Sequence, residues 1–521
     1  MHPNFAERLF AELRRQPARE VLRWPAARPG AAPASVSGAA LLARVQAWQQ
    51  ALESSGPVPV GAPVLLAHPG SPELVAALLA VLGLGAVPVL PPAGASASVI
   101  YRLLKAEGIR LAVVAPGTRR RLGWLGRLLG CRCVAAAAAA DYEATPTTRP
   151  PALATPTLRP VSLEQPALIS HSSGSASGRP AAVRRSHRVL QAQHEALRRQ
   201  FPPWAGQRDF PLFPNVILHN LAVGALSIVP DLPLGRLAQL DPARIAAQLA
   251  AERVETLTGN VFYFARLVAH LQLHPAVFPA VRALGIGGSP VPESLLAAVQ
   301  RCFPRATCHV IYGASEAEPI AVRTVAGPAP DPRLGYCVGQ PHAGLKISLR
   351  QPRPVWQPAA RPELVAAEGR PQAARGPAFF AALEDELPSY QAGEILVRGP
   401  HVAAPNGPET WLATGDFGYF DAAGQLWLTG RRGAAQPVRG VGHYQLEHHL
   451  RHLPGVAQVA ALPRADGAAF DVFFVGMTTA EGLRAATEAA FGPGLLGRVQ
   501  QRDQLPLDGR HFSKLRYDLI C

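Results

Sequence analysis

The stretch "PVLLAHPGSPELVAALLAVLGLGAVPVL", Pro63 to Leu90, decides between a membrane span and a globular fold. Its uncharged part, Leu74 to Leu90, is slightly short for a bilayer, and Gly83, Gly85 and Pro88 interrupt its end. Three pieces explain it better. Pro63 to His68 predicts a strand, the segment after Ser71 a buried helix capped by that serine, and Ala86 to Leu90 a buried strand. The alternation continues outward. "ASVIYRLLKAEG" predicts a helix, "RLAVVAP" a strand, and "QPALIS" another strand. Strand and helix in alternation imply an α/β fold with a parallel sheet covered on both faces.

Composition sets the bounds around this core. The 521 residues allow two to four domains, and hydrophobic residues at 48% allow a large interior. Charged residues at 17% argue against a disordered chain, and 53 prolines with 47 glycines fit a loop-rich α/β protein. The net charge of +15 suits an anionic partner. The arginines are scattered without interleaved aromatics, which argues against nucleic acid, and the densest run, Arg119 to Leu122, reads as a solvated face. Six dispersed cysteines make no disulfide framework, and the lone Cys131-x-Cys133 makes no zinc site. A reducing cytoplasm is expected, since the N-terminus carries acids and arginines where a signal peptide needs an apolar core. Ala135 to Pro160 and Gln351 to Pro377 read as low-complexity connectors.

Between two predicted strands lies "HSSGSASGRPAAVRRSH", His171 to His187. Its glycines let the backbone approach a ligand, and its N–H groups and hydroxyls can cradle phosphate oxygens. A flexible serine-glycine linker is the plain alternative. A Walker-type loop is disfavoured: no Gly-Lys-Ser/Thr opens a helix here, and the next helix starts later, where Ser186 can cap it.

At this loop the chain resembles the adenylate-forming superfamily: acyl- and aryl-CoA synthetases, luciferases and peptide-synthetase adenylation domains. Their signature reads Ser-Gly-Ser/Thr-Ser/Thr-Gly-x-Pro-Lys-Gly, then Ser/Thr-His. The resemblance assigns Ser173, Gly174, Ser175, Ser177 and Gly178 to ATP phosphates. Two departures stand out. One extra small residue lies between Ser173 and Gly178, and Ala181 replaces the usual lysine, with Arg179 or Arg184 as substitute cations.

Further motifs follow in family order. "GIGGSPVPESLL" resembles the adenine-pocket turn and assigns Gly288 and Ser289 to it, although any glycine turn before a helix reads similarly. "VIYGASEAEPIA" resembles Tyr-Gly-x-Thr/Ser-Glu. It implies that Tyr312 flanks the adenine beside Gly313, that Ser315 contacts the α-phosphate, and that Glu316 helps hold Mg²⁺, a hard cation preferring oxygen ligands. "WLATGDFGYFDAAGQLWLTGRR" resembles Thr-Gly-Asp, a hairpin, then Gly-Arg. Asp416 would take the ribose hydroxyls, and Arg431 the ribose or phosphates.

The resemblance divides the chain into a large N-terminal domain of mixed and parallel sheets with packed helices, residues 1–430, and a small mobile α/β C-terminal domain, residues 433–521. Arg432 and Gly433 occupy the hinge position. The terminal "LPLDGRHFSKLRYDLI" resembles the motif of the catalytic lysine, here Lys514, which bridges substrate carboxylate and α-phosphate. His448 and His452 lie four apart on a predicted helix and read as solvated surface residues rather than a zinc site.

The apolar segment Phe210 to Pro230 is the expected acyl pocket, with His219 and Asn220 as polar substrate contacts. It favours a fatty or aromatic acid. The resemblance thus implies ATP-dependent, AMP-forming activation of a carboxylic acid, then transfer to a thiol of CoA or an acyl-carrier protein. Two alternatives stand beside it. One is a β-lactone synthetase closing a β-hydroxy acid without CoA, and the other a degenerate homologue that binds without turnover.

Overall fold

The computed structural model describes residues 3–26, 32–92, 94–115, 130–135, 154–171, 181–232, 237–350, 392–405, 407–434, 437–509 and 512–520. The glycine-serine loop residues Ser173, Gly174, Ser175, Ser177 and Gly178 lie outside them, as do the Arg119 run and most of both connectors. The chain forms two compact units. One comprises Met1–Gly259 with Leu273–Arg282, the other Asn260–Gln272 with Ala283–Cys521. The expected boundary at residues 430–433 lies inside the second unit.

In the first unit, the strand, helix and strand expected from Pro63 to Leu90 are Pro63–Ala67, Pro72–Gly83 and Val87–Val89. Ser71 accepts a hydrogen bond from the Leu74 amide and closes the exposed first turn. Ser37, Ser96 and Ser186 cap their helices in the same way, on Ala40, Val99 and Val189. Pro63–Ala67 pairs in parallel with Val87–Val89 and with Leu111–Val114, which pairs in parallel with Arg132–Val134. Pro166–His171 extends this sheet, and Ala182–Ser186 returns antiparallel beside it.

Both faces of that sheet are buried, by alternation along each strand. Val64, Leu66, Leu111 and Val113 join the core under helices Ala6–Arg15, Gly38–Ser54 and Pro72–Gly83. Leu65, Ala112 and Val114 face the opposite way, against Ile100, Leu103 and Leu104 of helix Ala97–Ala106. The long apolar run is thus a core helix, and no helix among the described residues is long and apolar enough to cross a membrane.

Helix Pro214–Val223, inside the expected acyl-pocket segment, is fastened to strands Arg208–Pro211 and Leu226–Ile228 of this unit. Asn220 Nδ2 donates to Asp209 Oδ2 at 2.8 Å and to Ser227 Oγ at 3.0 Å, and Thr256 donates to the other Asp209 oxygen. Asp209 is fully buried, and burial pushes its carboxyl up despite these donors.

Among the described residues of the second unit, one run of strands follows the order Lys346–Arg350, Gly393–Arg398, Leu412–Phe420, Leu426–Arg431, Tyr336–Pro341, Ala317–Thr324, Thr307–Ala314 and Ala283–Gly287. The last two are parallel neighbours, and the other adjacent pairs of this run are antiparallel. A separate sheet joins Val456–Pro463, Phe470–Gly476 and Leu496–Gln501. Glu394, almost fully buried, pairs with both Arg350 and Arg432.

The helix and strand expected after residue 442 form as His443–Arg451 and Val456–Pro463. The reading of His448 as a solvated residue is corrected. Its ring is 1% exposed and stacks on Tyr336 at 4.1 Å between centroids. Its Nδ1 bonds the Gly335 carbonyl at 2.8 Å, and its Nε2 faces the Glu293 amide. Helical spacing in the sequence placed it correctly beside His452, at 4.8 Å, but could not show which strand covers that face.

Five histidines are held neutral chiefly by burial: His194, His443 and His448 are lowered to about 3, and His219 and His401 to about 4. In the unfolded chain each titrates near 6.5, so between about pH 6.5 and pH 4 that chain binds protons the fold refuses. Their stabilising effect is complete above about pH 6.5. It falls on acidification by about 1.4 kcal/mol per pH unit for each histidine. Glu447, raised to about 7 by burial, works in the opposite direction, as do Asp209 and Glu293, also raised by burial, while His309 and His449 are lowered like the five. Urea unfolding should therefore show midpoints falling steeply from pH 6.5 to 4.5, and a flat profile would refute the neutral assignments. Asn220→Ala should cost about 1–3 kcal/mol, because it strips a donor from buried Asp209, and the same unfolding measurement checks it.

Candidate active site

Four candidate residues of the second unit follow the ends of two neighbouring strands. Ala283–Gly287 and Thr307–Ala314 run parallel, with Gly287 opposite Ile311. Gly288 and Ser289 follow the carboxyl end of the first, and Ser315 and Glu316 turn the chain after the second. Ligands of α/β folds bind beyond such strand ends, where loops diverge and backbone groups are free of the ladder. Gly288 has φ +81°, a conformation open to glycine and costly for side-chain-bearing residues. Among the described residues, Ser289 Oγ is buried without a hydrogen-bond partner. A buried hydroxyl left so is costly, and a polar ligand group would satisfy it.

Asp416 lies within strand Leu412–Phe420. Gly415, at φ +78°, turns the chain just before it, and Thr414 Oγ receives the Asp416 amide at 3.1 Å. Asp416 stands opposite Arg431 across the antiparallel hairpin, which explains their interval of 15 residues. Arg431 donates to Asp416 Oδ1 at 2.9 Å, and Tyr312 Oη donates to Oδ2 at 2.9 Å. Asp416 is 7% exposed and Tyr312 8%. Burial, and then the charge of Asp416, push the Tyr312 phenol well above its ordinary value. The Asp416 carboxylate in turn raises Arg431. Each carboxylate oxygen has two acceptor positions, and among the described residues one of each is filled. Asp416 therefore keeps a position on each oxygen for further donors, as a vicinal diol requires.

Glu316 is half-buried in its turn, and its carbonyl receives the Ala403 amide at 2.7 Å. Its carboxylate is the hard donor type that magnesium prefers. Among the described residues, no group of three or more His, Cys, Asp or Glu forms a metal centre. Gly313 allows the close turn back: a β-carbon there would stand 3.1 Å from the Ala317 carbonyl.

Lys514 lies in a tight terminal bracket. Its amide donates to Asp508 Oδ1 at 3.2 Å, and its carbonyl receives the Asp508 amide at 2.9 Å. Leu507 and Leu515 form a bridge beside it. The sequence motif did not reveal this bracket, although Asp508 lay within the quoted segment.

His219 and Asn220 belong to the first unit. His219 packs against His194 at 4.9 Å between ring centroids, and the Asn220 amide nitrogen is committed to Asp209 and Ser227. Arg184, a candidate to replace the loop lysine, is held by both oxygens of Glu107 at 2.6 and 2.9 Å.

Known proteins resemble this chain. The profile of the AMP-binding enzyme family matches residues 9–405. An olefin beta-lactone synthetase of Stenotrophomonas maltophilia (strain K279a) is 29% identical over 509 residues, covering 87% of this chain and 84% of the relative. A 4-coumarate–CoA ligase-like protein of Oryza sativa subsp. japonica is 27% identical over 478 residues, covering 85% and 74%. The fold is that of ATP-bound MatB from Rhodopseudomonas palustris, with a TM-score of 0.76 at 18% identity and coverage of 100% and 98%. With its α/β architecture and a family profile matching most of its length, the chain belongs to the AMP-binding enzymes of the adenylate-forming superfamily.

Proposed function

We propose that this protein activates an apolar carboxylic acid with ATP, forming an acyl-adenylate and releasing pyrophosphate. The observation that carries the reading is the Asp416 carboxylate, buried, doubly anchored and still able to accept two more hydrogen bonds. Such a group suits a ribose diol. Tyr312 and the Gly288–Ser289 turn supply the adenine side. Glu316 would hold magnesium, which when bound offsets the phosphate charge. A carboxylate oxygen of the substrate attacks the α-phosphorus as the α–β phosphoanhydride bond breaks and pyrophosphate leaves. Lys514 lies between the two reacting anions in this reading and offsets the charge that builds on both. Residues 433–521 would carry it there as a mobile domain.

We assign the adenylate a fate within the same molecule. In a β-hydroxy acid the hydroxyl oxygen attacks the acyl carbon, its proton passes to base, AMP leaves and a β-lactone closes. The support is the similarity to olefin beta-lactone synthetases over most of both chains. Transfer to a thiol of CoA or a carrier protein is the second reading, favoured by the similarity to CoA ligases. ATP–pyrophosphate exchange with a panel including decanoate, 3-hydroxydecanoate and cinnamate tests the first step. Exchange with none of them, at saturating magnesium and ATP, would sink the proposal. Mass spectrometry of the 3-hydroxydecanoate product, with and without CoA, separates lactone from thioester.

Two variants test the residues. Lys514→Ala should lower exchange by about a hundredfold or more while leaving ATP affinity by calorimetry within about threefold. Asp416→Asn should weaken ATP binding by about 1.5–3 kcal/mol, the worth of a charge-assisted hydrogen bond. Unchanged nucleotide affinity in Asp416→Asn would remove the ribose role.

A further inference from the structure

Helix His443–Arg451 carries a buried acid for which the proposed reaction has no use. Glu447 is 1% exposed. Its carboxylate receives the Tyr517 hydroxyl on both oxygens, at 2.9 and 3.0 Å, and the Ala461 amide of the adjoining strand at 2.9 Å. Tyr517 lies three residues beyond Lys514, at the start of the short turn Tyr517–Leu519. A buried acid is costly unless its acceptors are filled, so this contact holds the terminal segment against the helix.

The segment is held on the other side of Lys514 as well. Phe512 has φ +52°, a left-handed conformation that a bulky residue adopts only where its surroundings impose it. Its amide donates to the Asp508 carbonyl at 3.1 Å, and its ring lies 5.6 Å from that of Phe262 on helix Val261–Leu273. Between the two anchors, Asp508 binds both the amide and the carbonyl of Lys514. The lysine side chain is long and flexible, so fixing its backbone narrows the region the ammonium can reach.

We propose that Glu447 and Tyr517 are positioning residues for Lys514, holding its backbone in the place from which the ammonium reaches the reacting groups. The proposal rests on the adenylation reading of Lys514. Its chemistry is an acceptor that strengthens on ionisation, because a carboxylate binds a phenol more tightly than a carboxylic acid does. Burial raises the Glu447 carboxyl to about 7, against the opposing charge of Arg451 on the same helix. Tyr444 of that helix and Tyr336 of strand Tyr336–Pro341 are the other titratable groups facing it, both raised by burial and neutral near pH 7. The anchor thus tightens as pH rises through 7.

Tyr517→Phe tests this by removing one oxygen. In the exchange assay, with the acid that serves the wild type, kcat should fall about tenfold or more while KM for ATP stays within about twofold. Amide hydrogen exchange over residues 506–520 should quicken, with the rest of the chain unchanged. Glu447→Gln keeps a neutral acceptor for the phenol. It should retain much of the rate at pH 6, and the ratio of wild-type to variant rate should grow from pH 6 to pH 8. Wild-type kcat in Tyr517→Phe overturns the proposal, as does equal loss of ATP affinity and rate. A constant rate ratio across that pH range overturns it too. If Lys514→Ala exchanges like the wild type, the lysine reading fails instead, and unchanged amide exchange in Tyr517→Phe would show that the anchor itself is absent.

Discussion

Tyr312 and Arg431 of the second unit are organised around one buried carboxylate, Asp416. Asp416 lies inside a sheet, where an unpaired carboxylate would be strongly destabilising. Its two partners come from different parts of the chain: Arg431 from the other arm of its own hairpin, and Tyr312 from a strand 104 residues earlier. That arrangement ties hairpin to strand and brings the Ser315–Glu316 turn, three residues beyond Tyr312, toward the same place. Burial first, and then the neighbouring Asp416 charge, push the Tyr312 phenol further above its ordinary value, so it serves Asp416 as a hydrogen-bond donor.

Much of this was legible in the sequence because short-range physics governs it. The strand, helix and strand after Pro63 are set by apolar periodicity and a serine cap, and both are local. The pairing of Asp416 with Arg431 is also nearly local, since a hairpin of fixed register brings together residues fifteen apart. Tyr312 was singled out by its motif, yet its bond to Asp416 depends on the sheet order, which no local pattern encodes.

What remained hidden was burial produced by remote cover. His448 reads as a surface residue on a charged helix until Tyr336, more than a hundred positions away, stacks on it. Glu447 looks like an ordinary helix acid until Tyr517 closes over it. Asn220 reads as a polar group within an apolar run, and its amide nitrogen fastens a helix to its sheet. In each case the residue's neighbours along the chain are uninformative, because the group that defines its role arrives from another element.

Glu394 carries a consequence for the segment at Arg432. A buried carboxylate with a single partner resists losing it, since separation strands a charge in a dry interior. Glu394 has two guanidinium partners, and Arg350 belongs to its own neighbouring strand. When Arg432 departs, Glu394 is still compensated by Arg350. The half-exposed Arg432 regains hydration at the same time. The chain at this point is therefore tethered by a contact that can open without leaving a naked ion behind. Its hold also weakens as salt concentration rises.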